Sequence, residues 1–550
     1  MQDHLEKLRP DPAKGREIDQ QSPGERAAGI DTRTNGIRWG GVVLGLALAL
    51  LLYFTLPADA MAHNARLTAA IAGLMAVWWM SEALPIPATA LVPLIAFPVL
   101  AEPIPGADGA DPTPITFDTI GASYGNNVIF LFMGGFFLAL AMQRWNLHRR
   151  IALAVLRVMP NKPGAMIAGF MIATGFLSMW VSNTATAVMM LPIGMSVLSL
   201  VNQVVNTPGD DPKTGSVTLD ADGNPVKELA GVLKTNFGTA LMLGIAYAAS
   251  LGSIGTLIGT PPNAFLAGYM AENHDRVIGF GEWMIVGVPI SVVFMVICWF
   301  LLVKVLFKPE IDEIPGGKAL VQRELDKLGP MSTGEKLVLA VFALTALSWI
   351  FIPLVSSWMG TSSPISDAGI AMAAGLLLFL LPAGAKRGVK LLDWRSAKEL
   401  PWDVLLLFGG GLALSGMFSR SGLTEAIGEV VGGLEVLPTI LIIAAFAAAI
   451  LFLTELTSNT ATAATFIPVA AGVAMGMGID PLLLTAPVAL AATCAFMLPV
   501  ATPPNAVAYG SGYVTIGQMV RGGVWLNIIG IILITIAAYA LLVPVFGLAL

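Results

Sequence analysis

The sequence predicts an all-α polytopic membrane protein of about eleven transmembrane helices plus two re-entrant hairpins, arranged as an inverted repeat. Composition is the first reason: of 550 residues, 56% are hydrophobic and 12% charged, with mean hydropathy +0.77, more apolar surface than one soluble core can bury. The second is a string, Ser182-Asn183-Thr184-Ala185-Thr186-Ala187, which returns letter for letter at Ser458-Asn459-Thr460-Ala461-Thr462-Ala463. The third is that each copy has a partner further on, Thr260-Pro261-Pro262-Asn263-Ala264 and Thr502-Pro503-Pro504-Asn505-Ala506.

Residues 1–36 are polar, of mixed charge and without an apolar signal core, and read as a disordered tail. A first helix follows within 37–60. Further apolar stretches run about 65–83, 85–101, 127–143, 164–200, 229–270, 283–305, 337–355, 367–383, 402–418, 437–472, 482–510 and 524–548. The stretches 164–200 and 437–472 are too long for one crossing and polar at their centres, so each reads as a hairpin that returns to its own side. Non-helical backbone survives at that depth only where protein or a water-filled cavity satisfies it.

Basic residues set the orientation. With the N-terminus cytoplasmic, the inside loops collect Arg144, Arg149, Arg150, Arg157 and Lys162, then Lys304, Lys308, Lys318, Arg323, Lys327 and Lys336, then Lys386, Arg387, Lys390, Arg395 and Lys398. The outside loops 102–126 and 356–366 hold no Lys or Arg; Arg420 is the exception placed outside. This places the C-terminus outside.

Ser458 lies 276 positions after Ser182, and the same offset aligns Phe132 with Phe408, Gly134 with Gly410, Arg144 with Arg420 and Pro192 with Pro468. The Thr-Pro-Pro-Asn elements align at an offset of 242, the difference being absorbed by a polar insertion near 202–235. The expected division is a first repeat over 61–310, a cytoplasmic linker over 311–335 and a second repeat over 336–550. Five crossings and one hairpin per half invert the second half relative to the first, the architecture of alternating-access transporters. Proline removes a backbone donor and breaks each long segment, leaving carbonyls and half-helix ends pointing inward.

A single Ser-Asn-Thr copy could be a small-residue packing face, and a single Pro-Pro pair a structural kink. Their paired recurrence favours a site. Its hydroxyl, carboxamide and carbonyl oxygens suit a weakly held cation, whereas a calcium site would recruit several carboxylates, and Glu455 is the only acid close to either string. The same groups' hydrogens can donate to a carboxylate. No Arg or Lys lies in the motifs, so an anion there would be balanced by bound cations and helix dipoles.

Glu455 is one residue beyond Thr454 and is either a cation ligand or turned toward scaffold. Glu82, after Trp78-Trp79-Met80-Ser81, reads as a membrane-interface end with the tryptophans as anchors. Cys298 and Cys494 are far apart and read as buried thiols, and four scattered histidines are too few for a metal cluster. Gly121-Ala122-Ser123-Tyr124-Gly125 matches GxSxG without a His partner and is treated as chance.

With these motifs and the Phe132-Met133-Gly134-Gly135-Phe136 run, the chain from residue 37 onward resembles the divalent-anion/sodium symporter family, the sodium-coupled dicarboxylate and citrate transporters. The resemblance implies a homodimer with a fixed scaffold domain and a transport domain that moves in elevator fashion. It implies Na+ as coupling ion, held in one site by Ser178, Ser182, Asn183 and the Gly259 carbonyl, and in a second by Thr454, the Thr457 carbonyl, Asn459 and the Ala501 carbonyl. Substrate would meet Ser182, Asn183, Thr184, Thr260 and Pro261 on one side and Ser458, Asn459, Thr460, Thr502 and Pro503 on the other. Val181 stands where the second string has Thr457, so the two cation sites need not have equal affinity.

The resulting expectation is no enzyme but a sodium-coupled symporter for a C4 dicarboxylate such as succinate, malate or fumarate, in the bacterial inner membrane. The alternatives are a sodium-independent dicarboxylate exchanger, a citrate or sulfate symporter, a sodium/proton antiporter and a membrane enzyme.

Overall fold

A computed structural model describes residues 32–105, 111–205, 235–314, 316–431 and 437–548. The tail expected over 1–36 and the insertion near 202–235 therefore lie largely outside the described residues. Residues 32–36, expected in the tail, already belong to the first helix.

That helix, α1 (Thr32–Thr55), packs along α2 (His63–Ser81). The apolar stretch 85–101 is not one rod: a turn over Ile86–Thr89 precedes α3 (Val92–Leu100). Pro87 and Pro93 each sit in the opening turn of their segment, where a missing N–H costs nothing, and so divide the stretch in two.

The first half continues with α4 (Asn127–Arg144), α5 (Leu147–Val158), a hairpin of α6 (Pro163–Ser178) and α7 (Asn183–Val205), a broken pair α8 (Asn236–Ser253) and α9 (Pro261–Asn273), and α10 (Phe280–Phe300). The helix α11 (Gly317–Lys327) links the halves. The second half has α12 (Thr333–Trp358), α13 (Asp367–Leu380), α14 (Trp402–Arg420), α15 (Leu423–Val431), a hairpin of α16 (Thr439–Thr454) and α17 (Asn459–Gly476), a broken pair α18 (Leu482–Thr493) and α19 (Pro503–Gly510), and α20 (Ile516–Ala537). The starts of α5, α6 and α7 recur in α15, α16 and α17 at the 276-residue offset, and both broken pairs resume at the first proline of Thr-Pro-Pro-Asn.

Among the described residues, seven helices are long and apolar enough to cross a membrane by length and composition. Five shorter apolar helices, including α6, α16 and α18, accompany them. α8 is buried along almost its whole length and α18 along all of it, whereas α16 leaves Ile440, Leu441 and Phe452 exposed.

The halves are interleaved. A Cβ on Gly134 of α4 would lie 2.5 Å from the Ala371 carbonyl carbon of α13, and one on Gly410 of α14 would collide with the Ala90 carbonyl. Only glycine permits these crossings, because real Cβ atoms do not approach backbone so closely. Tyr247 of α8 adds a polar tie, its hydroxyl 2.8 Å from the Phe496 carbonyl in the second half.

The arginines expected on inside loops bind the periphery. Arg144 pairs with Asp393, Arg149 with Glu324 of α11, and Arg150 with Glu335 of α12, each at 2.7 Å. Trp79 is not an interface anchor: it is buried, and its indole donates to the Ile86 carbonyl at 3.1 Å. Ser123 of the GxSxG match donates to Glu272 at 2.9 Å, and Cys298 and Cys494 are buried and free.

Candidate ion and substrate site

Both hairpins turn at their polar strings. α6 ends at Ser178 and α7 begins at Asn183; α16 ends at Thr454 and α17 begins at Asn459. At the first tip a hydroxyl caps the returning helix: Ser182 Oγ accepts from the Ala185 N–H at 3.3 Å, satisfying a donor that the first helical turn leaves open, while Ser458 at the second makes no such bond.

At the first tip, Ser178 Oγ lies 2.7 Å from Asn183 Oδ1 and 2.6 Å from the Ala249 carbonyl of α8. At the second, Thr454 Oγ1 lies 2.7 Å from Asn459 Oδ1 and 3.0 Å from the Ala492 carbonyl of α18. Each hydroxyl has one proton and two oxygen neighbours, so oxygen lone pairs outnumber protons in both clusters. Asn183 also donates to Ser253 Oγ at 3.3 Å, a partner the sequence did not single out.

The breaks in α8–α9 and α18–α19 are held by the asparagines of the Thr-Pro-Pro-Asn elements. Asn263 Nδ2 donates to the Ile254 and Thr256 carbonyls at 3.1 and 2.9 Å, and Asn505 Nδ2 to the Ala495 and Leu498 carbonyls at 3.1 Å each. The motif repeats these asparagines, but nothing in the sequence assigns them this task. Gly259 is packed so tightly that a Cβ would meet the Ser253 carbonyl oxygen at 2.3 Å, and Thr260 Oγ1 lies 3.3 Å from Thr493 Oγ1 in the other half.

Ser182, Asn183, Thr184, Gly259, Thr260 and Pro261 line one cavity of about 860 Å3, with Thr457, Ser458, Asn459, Thr460, Ala501, Thr502 and Pro503 on its facing wall. Ser178 and Thr454 are fully buried one layer behind it, reached through Asn183 and Asn459. The first residues of α7, α9, α17 and α19 all line this cavity, so four helix N-termini present their positive ends to it. Among the described residues no Lys, Arg or His lines it, whereas Glu82, Glu399 and Asp403 do. Glu82 is part of the cavity wall, at the left-handed residue (φ 46°) that terminates α2.

Glu455 does not face the cavity. Its carboxylate is buried and accepts from the Phe496, Met497 and Leu498 N–H groups and from Asn527 Nδ2. Among the described residues no group of three or more His, Cys, Asp or Glu gathers for a metal ion. The arrangement can thus hold a hard cation on neutral oxygens near helix C-terminal ends and an anion at helix N-terminal ends.

One family matches nearly the whole chain: the sodium:sulfate symporter transmembrane region aligns with residues 38–548. The chain belongs to this family, the divalent anion/sodium symporters. It is a family of transporters, not of enzymes. This symporter is 41% identical over 512 residues to the sodium-dependent dicarboxylate transporter SdcS of Staphylococcus saprophyticus, with 92% of each chain covered. It is 41% identical over 510 residues to the SdcS of Staphylococcus aureus, again covering 92% of each. Among solved structures, the Alcanivorax borkumensis YdaH transporter superposes with a TM-score of 0.53 at 15% identity, covering 86% of the symporter and 98% of that chain; the likeness concerns fold alone.

Proposed function

We propose that this protein couples sodium entry to uptake of a C4 dicarboxylate such as succinate, malate or fumarate. The observation that carries this reading is the convergence of four helix N-termini, without any basic side chain among the described residues, on a cavity flanked by two clusters of neutral oxygens. A dianion placed there needs compensating charge, and bound sodium ions supply it. Both relatives are named sodium-dependent dicarboxylate transporters, which supports the ion and the substrate class.

In this reading the first sodium ion takes Ser178, Ser182, Asn183 and the Gly259 carbonyl, and the second takes Thr454, the Thr457 carbonyl, Asn459 and the Ala501 carbonyl. Surplus oxygen lone pairs around Ser178 and Thr454 fit such ions. The substrate carboxylates accept from Ser182-Asn183-Thr184 and Ser458-Asn459-Thr460, beside Thr260, Pro261, Thr502 and Pro503. Each net positive charge carried inward gains about 2.3 kcal/mol per 100 mV, so more than two sodium ions per dianion drive uptake electrically.

The same reading has a homodimer whose transport domain, carrying both hairpins, moves past a scaffold in elevator fashion between two inverted repeats. The loop charges support a cytoplasmic N-terminus and an external C-terminus in the inner membrane. Uptake of radiolabelled succinate into proteoliposomes, with sodium exchanged for potassium and with sulfate as competitor, tests the proposal. Sodium-dependent accumulation is expected; succinate uptake that ignores sodium overturns it.

A further inference from the structure

Glu455 is the one carboxylate beside either polar string, and its surroundings differ from those of its counterpart. The equivalent position in the first half is Met179, whose carbonyl accepts from Thr256 Oγ1. The first break is pinned by neutral groups alone: that hydroxyl, Asn263, and Trp283, whose indole donates to the Ile254 carbonyl at 3.0 Å. The second is pinned by a buried carboxyl group instead.

Glu455 Oε1 accepts from Phe496 N–H at 2.7 Å, Met497 N–H at 3.0 Å and Asn527 Nδ2 at 2.9 Å. Its Oε2 accepts from Met497 N–H at 2.9 Å and Leu498 N–H at 3.2 Å. Those N–H groups lie in the segment between α18 and α19, where helical partners are lost. Every partner donates, so the geometry fits an ionised carboxylate. Glu455 does not line the cavity.

The chain of contacts continues through one residue. Leu498 gives its N–H to Glu455, and its carbonyl accepts from the Ala501 N–H at 3.3 Å and from Asn505 Nδ2 at 3.1 Å. Ala501 lines the cavity, and Thr454 precedes Glu455 in the chain.

We propose that Glu455 is a positioning residue for the second cation site. It fixes the 496–498 turn, and with it the Ala501 carbonyl, without touching the ion. The second sodium site is therefore built on an internal anion, and the first is not. This inference rests on the sodium-coupled reading above.

The test measures succinate uptake into proteoliposomes against sodium concentration for wild type, Glu455→Gln and Asn527→Ala. The Glu455→Gln amide must turn its NH2 toward N–H donors. Its half-saturating sodium concentration is expected to rise tenfold or more. The maximal rate at saturating sodium and the number of sodium ions per succinate are expected to stay near wild type. Asn527→Ala removes one donor and leaves the 496–498 contacts; a rise of about threefold is expected, and this variant decides the matter where Glu455→Gln does not insert. An unchanged sodium half-saturation in the inserted variants overturns the proposal. So does loss of one sodium ion per cycle in Glu455→Gln, which would make Glu455 a ligand. Wild-type uptake without sodium dependence would instead sink the sodium-coupled reading, so the two failures are distinguishable.

Discussion

Phe132 and Phe408, equivalent positions in the two halves, meet edge to face with ring centroids 4.9 Å apart and planes at 80°. Both are buried, and Phe132 also forms part of the cavity wall. The pair joins α4 to α14. Replacing either ring by Ala is expected to cost about 3–5 kcal/mol. The double-mutant coupling should be about 0.5–1.5 kcal/mol, the excess expected of an aromatic pair. Thermal unfolding in detergent measures both, and strictly additive losses would show that the rings do not support one another.

The two oxygen clusters predict matched losses. Asn183→Ala and Asn459→Ala each remove the carboxamide that connects a buried hydroxyl to the cavity. Sodium-driven succinate uptake should fall more than tenfold in both. Thr454→Ser keeps the hydroxyl and should retain uptake, whereas Thr454→Val should lose it. Full transport by Thr454→Val would remove that hydroxyl from the site.

One difference just before the strings, Val181 against Thr457, leaves a structural trace. Thr457 Oγ1 lies 2.7 Å from Thr462 Oγ1, but Val181 offers the equivalent Thr186 nothing, and Thr186 Oγ1 is buried without a partner. Val181→Thr should therefore stabilise the first hairpin, and Thr457→Val should destabilise the second by about 1–3 kcal/mol, the cost of an orphaned buried group. Melting temperatures that move together rather than in opposite directions would contradict the pairing.

The peripheral ion pairs differ in depth, and so in predicted cost. Glu335→Gln strips the partner from Arg150 in a largely buried pair and should cost about 3–5 kcal/mol. The Arg144–Asp393 pair is more exposed, and Asp393→Asn should cost little at neutral pH. Acid should still register. The Ser396 N–H bonded to Asp393 holds its carboxyl below the ordinary 3.8, and the Lys327 ammonium bonded to Glu324 holds that carboxyl below 4.5. A depressed folded value means stabilisation present above the ordinary value and lost as pH falls through the depressed one. Melting temperature should begin to drop below about pH 4.5, and Asp393→Asn with Glu324→Gln should flatten that drop.

What the sequence revealed followed from local chemistry. Ser-Asn-Thr and Thr-Pro-Pro-Asn interrupt apolar runs, so the turns at 179–182 and 455–458 and the breaks at 254–260 and 494–502 were readable from polarity and proline alone. Partners distant in the chain were not readable. Nothing near Glu455 in sequence reveals that Phe496, Met497 and Leu498 bring their N–H groups to it, and nothing near Glu82 places it in the cavity. The division of 85–101 is written in its prolines, which the apolar content of the stretch masks. Trp79 is ambiguous in sequence for a related reason: a tryptophan near a helix end serves equally as anchor or as core.

The contact of Gly134 with Ala371, and that of Gly410 with Ala90, bears on biogenesis. The face of α4 that carries Gly134 meets a surface synthesised more than two hundred residues later, on the order of ten seconds or more at ~5–20 residues per second. The nascent first half must wait in the bilayer with that seam open, and an arrest or truncation after residue 310 would leave it with no native mate.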